Sequence, residues 1–148
     1  MEPHISSIAN VIQLAIAPVF LLTALGAILG VLSNRLSRVV DRARVLDDKL
    51  GHIQGEELQM VQDELHVLSR RARWVNRAIT SCTACALLIC LEIIALFAGA
   101  FLATDLSPAA GTLFILAMIA LTIGLLAFLR EVFLATHHLR IGSYRPGF

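Results

Sequence analysis

Residues 34–77 read NRLSRVVDRARVLDDKLGHIQGEELQMVQDELHVLSRRARWVNR, a charged segment held between uncharged apolar runs. Leu32, Leu36, Val39, Ala43, Leu46 and Leu50 recur at steps of 4, 3, 4, 3 and 4, the a/d seam of a coiled coil. Gly51 and Gly55, in GHIQG, then interrupt the pattern. Leu58, Val61, Leu65, Leu68, Ala72, Val75 and Ile79 repeat it at steps of 3, 4, 3, 4, 3 and 4. Two seams of similar length about a glycine-bounded turn predict an antiparallel helical hairpin with arms of about 25–30 Å.

The flanks decide the fold class. Of 148 residues, 57% are apolar and 16% charged, and a soluble domain of this size has too little interior to hide that much apolar surface. The excess must face lipid. Residues 9–33 carry no formal charge and form a helix of about 36 Å, enough to cross a hydrocarbon layer of about 30 Å with some tilt. Pro18 lies inside this run and donates no backbone hydrogen bond, which predicts a kink near Leu14. A second span is expected over about 78–103, interrupted only by Glu92, and a third over about 109–129. Thr104, Asp105, Ser107 and Pro108 mark the turn between them, and the tail to Phe148 is polar. The fold class predicted is an all-α membrane protein, a single membrane domain over 1–148, with three transmembrane helices and a cytoplasmic hairpin over about 34–77.

Charge position sets the orientation, because the net charge of +1 averages an apolar body with a polar insert. All twelve Lys and Arg residues lie in the insert or after the third span, and none in the N-terminus or the 104–108 turn. The positive-inside rule then places the N-terminus outside and the hairpin and C-terminus in the cytoplasm. Glu2 and His4 precede the first run where a signal peptide would be basic, so the run reads as a retained span.

Within the hairpin, Arg35, Arg38, Arg42, Arg44, Arg70, Arg71, Arg73 and Arg77 occupy the membrane-proximal halves of both arms. Asp47, Asp48, Glu56, Glu57, Asp63 and Glu64 occupy the distal end, a place for a cytoplasmic protein partner. Pairing Leu36 with Ala72 and Ala43 with Leu65 brings Arg42 near Glu64 and sets Arg35 near Arg71. The first pair attracts, whereas the second repels and calls for an anion. Two readings of this basic collar stand together: a solvated face that obeys orientation statistics, and a vestibule or anionic-lipid site in which each basic residue gains about 1 kcal/mol at an anionic leaflet. Trp74 sits among these arginines, where an indole anchors at the interface. Nothing points to nucleic acid.

Glu92 is the principal candidate site within the spans, since a lone carboxylate at mid-span is costly unless paired, hydrated or protonated. Thr23 and Thr122 lie near the midpoints of their own helices, so the three side chains are expected within about 5 Å of one depth. Three roles fit Glu92: a protonated tie between helices, a proton or cation site on a pathway, and a polar patch for a passing client segment. Gln13 either extends such a path outward or is an interfacial amide. Small-residue faces at Gly26/Gly30, Ala95/Gly99 and Ala120/Gly124 predict close helix packing and a homo-oligomer.

Cys82 and Cys85 form a CxxC inside an apolar run, where cysteines act as small hydrophobes and not as a redox pair. A metal site with His137 and His138 is disfavoured by a depth mismatch of about 10 Å against Zn–ligand distances near 2 Å. No cofactor, metal or catalytic set is expected, hence no enzyme. The run from Ala17 to Leu22 (APVFLL), followed by Asn34, Arg35 and Leu36 with Arg38, Asp41 and Arg42, resembles the bacterial membrane-protein family catalogued as domain of unknown function 2721. The resemblance covers most of the chain and implies an inner-membrane protein with this three-span plan, but no activity. A looser likeness, of topology alone, is to the bacterial membrane insertases, whose groove arginine has no counterpart in any span here. The leading expectation is a homo-oligomeric channel or proton pathway; the alternative is a non-conducting scaffold or insertase-like chaperone whose hairpin holds a partner.

Overall fold

The computed structural model describes the chain from Glu2 to Leu139, and its side chains from Ile8 to Thr136. The polar tail beyond these bounds, and the side chains of His137 and His138, lie outside the described residues. Three helices account for almost all of it: α1 (Glu2–Leu50), α2 (Glu56–Leu102) and α3 (Ser107–Leu139). Each contains a stretch long and apolar enough to cross a membrane. The two hairpin arms and the first two spans are therefore not separate elements; each arm and its span form one helix. Pro18 is buried and lies inside α1, whose assignment does not break there.

The chain divides into two compact units. One, the apolar unit, takes the residues up to Gly30 with Thr80–Ile123; the other, the charged unit, takes Val31–Ile79 with the residues from Gly124 onward.

In the apolar unit the buried residues include Ala15, Pro18, Leu25, Cys82, Cys85, Ile89, Ala110, Ala117 and Leu121, with Glu92 among them. Only 17%, 17% and 22% of the most apolar window of each helix is buried within the protomer, so most of the apolar surface must meet lipid or further chains. The α2–α3 turn is tightly built. Thr104 N–H donates to Gly99 O at 3.2 Å and Ala103 takes φ +50°, the left-handed residue that closes a helix C-terminus. A Cβ on Gly99 would lie 3.1 Å from Thr104 O and 3.3 Å from Leu106 Cβ, so glycine is what lets the turn fold back onto the helix. Asp105 Oδ1 accepts from Ser107 N–H at 3.1 Å, satisfying one of the donors that the start of α3 leaves open, and Pro108 has none to satisfy. The Ser107 hydroxyl, together with that amide, holds the exposed Asp105 carboxyl below the usual aspartate range.

In the charged unit, Val39, Leu46 and Leu68 form a buried cluster against which Ala43, Val61, Leu65 and Ala72 pack. Leu32 and Val75 are fully buried. The arms are joined through 51–55, where His52 N–H donates to Lys49 O at 3.0 Å and Gly55 adopts φ +75° immediately before α2. Of the two glycines in the turn, Gly55 is therefore the one whose backbone a side chain would strain.

Candidate functional site

The charged unit closes on a carboxylate that carried no assignment in the sequence reading. On α3, Ala110, Ala117 and Gly124 are buried at seven-residue steps, and the next step is Glu131. Glu131, at that next step, has no exposed surface. Arg35 Nη1 donates to Glu131 Oε2 at 2.7 Å. Arg71 donates to Oε1 through Nη2 at 2.9 Å and Nε at 3.3 Å. One carboxylate thus joins three helices, each oxygen taken by a different arginine. The side chains of Arg35 and Arg71 keep 39% and 26% of their exposure, so the acid is sealed while its partners still reach water. Arg35 also lies over the Phe128 ring at 5.2 Å from its centroid.

This corrects one expectation. Arg35 and Arg71 do converge, but the anion they call for is provided by the chain itself. In sequence Glu131 follows the third apolar run and reads there as a span-end charge. The signal that finds it is its seven-residue register with Ala110, Ala117 and Gly124.

The remaining arginines divide into separate groups. Arg42 pairs with Glu64, Nε at 3.0 Å and Nη2 at 2.9 Å, with both side chains largely exposed. Arg38 and Arg42, together with Arg35 and Arg71, line a cleft of about 410 Å³ whose other walls are Val39, Leu68, Val132, Ala135 and Thr136. Arg44 lines a second groove of about 350 Å³ with Asp47 and the hairpin's apolar residues. Arg70 shares a third, of about 360 Å³, with Trp74, Arg130, Phe133 and Leu134. Trp74 is flanked by two cations, Arg77 at 5.0 Å and Arg130 at 5.4 Å from its ring, a pairing that fits an interfacial indole. Arg73 is exposed.

In the apolar unit the three-residue polar layer does not form. Thr23 and Thr122 are exposed, and each hydroxyl bonds back to its own helix, to Val19 O at 3.4 Å and to Met118 O at 2.8 Å. A threonine in a helix meets its hydroxyl's need with the carbonyl four residues back, which removes any reason to seek Glu92. Glu92 is 7% exposed, and its Oε2 is buried with no hydrogen-bond partner. Gln13 is exposed. Cys82 and Cys85 are buried free thiols and Cys90 an exposed one. Among the described residues, no three His, Cys, Asp or Glu side chains gather as a metal site.

The small-residue faces also separate. Gly124 is buried and Ala120 half-buried, while Ala95 and Gly99 are half-buried, Gly99 against the turn. Gly26 and Gly30 are exposed, and a Cβ on either would meet nothing within 4 Å. Of the three faces, this is the one whose described residues are fully open to another helix.

The chain belongs to the family described as Protein of unknown function (DUF2721), whose model matches residues 15–141. The match begins before Pro18 and includes Glu92, both hairpin arms and Glu131. No curated protein and no solved structure matches the chain. What the fold and the family define together is a multi-pass, all-helical membrane protein.

Proposed function

We propose that this protein is a non-enzymatic membrane scaffold of the bacterial inner membrane whose charged unit lies on the cytoplasmic side and engages anionic head groups through its arginines. The observation that carries this reading is the Glu131 clamp. A sealed carboxylate held by two arginines ties α1, α2 and α3 together within the charged unit, and guanidinium groups held in place bind phosphate oxygens at less entropic cost than mobile ones. The charge distribution, basic next to the spans and acidic at the tip, fits an inward orientation. It leaves the tip for a protein partner.

Reconstitution tests it. In vesicles containing anionic lipid, the protein should melt at higher temperature than in zwitterionic vesicles, the gain should fall with added salt, and no ion flux should appear. Steady flux that Glu92→Gln changes would replace this reading with the second one.

The second reading is a homo-oligomeric proton or cation pathway, favoured by the orphaned Oε2 of Glu92. An ionisable group inside a span marks such pathways, and the open Gly26/Gly30 face offers a contact for another copy. It stands second because Glu92 points into the protomer, and Thr23 and Thr122, which would extend a polar path, turn away from it.

A further inference from the structure

Glu131 satisfies Arg35 and Arg71, and this moves the unmet demand for an anion one helical turn along α1. The cleft contains four guanidinium groups, those of Arg35, Arg38, Arg42 and Arg71. Two carboxylates serve them: Glu131 between Arg35 and Arg71, and Glu64 on Arg42. Four positive charges against two negative leave two uncompensated, and Arg38 has no carboxylate within salt-bridge distance among the described residues. Nor are the paired arginines saturated. A guanidinium has five N–H donors, whereas Arg35 commits one to Glu131 and Arg42 directs two at a single oxygen of Glu64.

From these charges and unused donors we infer that the cleft between Arg38, Arg42 and Arg71 is a binding site for a phosphate group carrying two or more negative charges, a phosphomonoester or diphosphate. A charge of minus two matches the excess. The tetrahedral oxygens suit planar forks arriving from different helices, which bind such groups two bonds at a time. A phosphodiester, with one charge, would leave one arginine unmatched. Val39, Leu68, Val132 and Ala135 supply an apolar wall, suited to the hydrocarbon next to such a phosphate. Arg38 lies five residues beyond Ser33, the last residue of the first expected span, about 7.5 Å along a helix, within reach of head groups. The same chemistry is offered by a lipid phosphomonoester and by a soluble diphosphate.

The inference rests on the reading of the charged unit as a binder of anionic groups, and the test separates the two. The full chain is placed in nanodiscs containing either phosphatidic acid or phosphatidylglycerol at matched surface charge, and its thermal midpoint is measured. In phosphatidylcholine nanodiscs, binding of inorganic pyrophosphate is followed by equilibrium dialysis. Arg38→Gln removes a cleft residue that holds no other side chain in place, and Arg73→Gln removes a collar charge outside the cleft; circular dichroism checks that both variants keep the helices.

A preference for phosphatidic acid that Arg38→Gln abolishes and Arg73→Gln does not supports the site and assigns it to lipid. Saturable pyrophosphate binding weakened about ten- to a hundredfold by Arg38→Gln supports the site and assigns it to a soluble ligand. If the two lipids act equally and pyrophosphate does not bind, or the two variants weaken binding equally, the cleft is overturned and the diffuse collar remains. Indifference to every anion overturns both.

Discussion

Neutralising Glu131 should loosen the charged unit more than any other single isosteric change. At an effective dielectric constant near 20, each contact at 2.7 to 2.9 Å is attractive by about 6 kcal/mol before desolvation is counted. Sealing the carboxylate away from water offsets most of that, so the pair of bridges gives little net gain over a well-packed apolar trio. Removing only the acid is a different matter. Glu131→Gln leaves two guanidinium groups converged on one neutral amide, repelling each other with no negative charge between them. Loss of charge-assisted hydrogen bonds adds about 1.5–3 kcal/mol. Both arginines keep part of their exposure, and swinging out to water recovers some of this, leaving an expected loss of about 2–4 kcal/mol.

The single tryptophan makes the assay local, because Trp74 lies against Arg130, the neighbour of Glu131 in sequence. Its fluorescence, followed through a denaturing-detergent titration, should shift to lower denaturant in Glu131→Gln. The triple change Arg35→Met, Arg71→Met, Glu131→Leu should recover most of the loss. If Glu131→Gln unfolds with the wild type, or the triple change is worse than the single one, the clamp is not an electrostatic one and the argument fails.

Ala103 sits at φ +50°, so Ala103→Gly should raise the melting midpoint by an amount equivalent to about 0.5–1 kcal/mol. Gly99→Ala should lower it, since its Cβ would press on Thr104 O at 3.1 Å, whereas Gly26→Ala, with open space around it, should leave the protomer at least as stable, about 1 kcal/mol being the usual helix gain. Gly26→Leu should reduce oligomer size in light scattering if that face joins two copies; an unchanged mass removes it from the interface. Arg42 and Glu64 keep 54% and 42% of their side-chain exposure, so a double-mutant cycle should return no more than about 0.5 kcal/mol, less in high salt. Asp105 is held ionised by Ser107, so its contribution to the start of α3 is complete above the ordinary aspartate range and disappears as pH falls through its lowered value. Asp105→Asn should flatten that acid limb of the melting profile, and an identical profile would refute the assignment.

Several features could be read from the chain because they depend on local periodicity and composition. Three long apolar helices follow from apolar runs that only lipid can accept. The hairpin's interior follows from apolar residues at alternating steps of three and four, which bring Val39, Ala43 and Leu46 to one face of α1, and Val61, Leu65, Leu68 and Ala72 to one face of α2. Arg42 and Glu64 meet because that register fixes their flanking positions.

Which side chain answers which could not be read this way, because it depends on how a third helix is rotated about its axis. Equal depth brought Thr23, Glu92 and Thr122 together on paper, yet depth says nothing about direction, and a hydroxyl that can bond its own helix has no need to face inward. On α3 the buried Ala110, Ala117 and Gly124 share a seven-residue register with Glu131, and Glu131 meets Arg35 and Arg71. The sequence by itself determined that the Asn34 to Arg77 segment pairs its arms and sets two arginines face to face. Only the tertiary structure decided that the chain answers those two arginines itself and leaves Arg38 unanswered, because like charges can share a buried carboxylate only where a third element brings one.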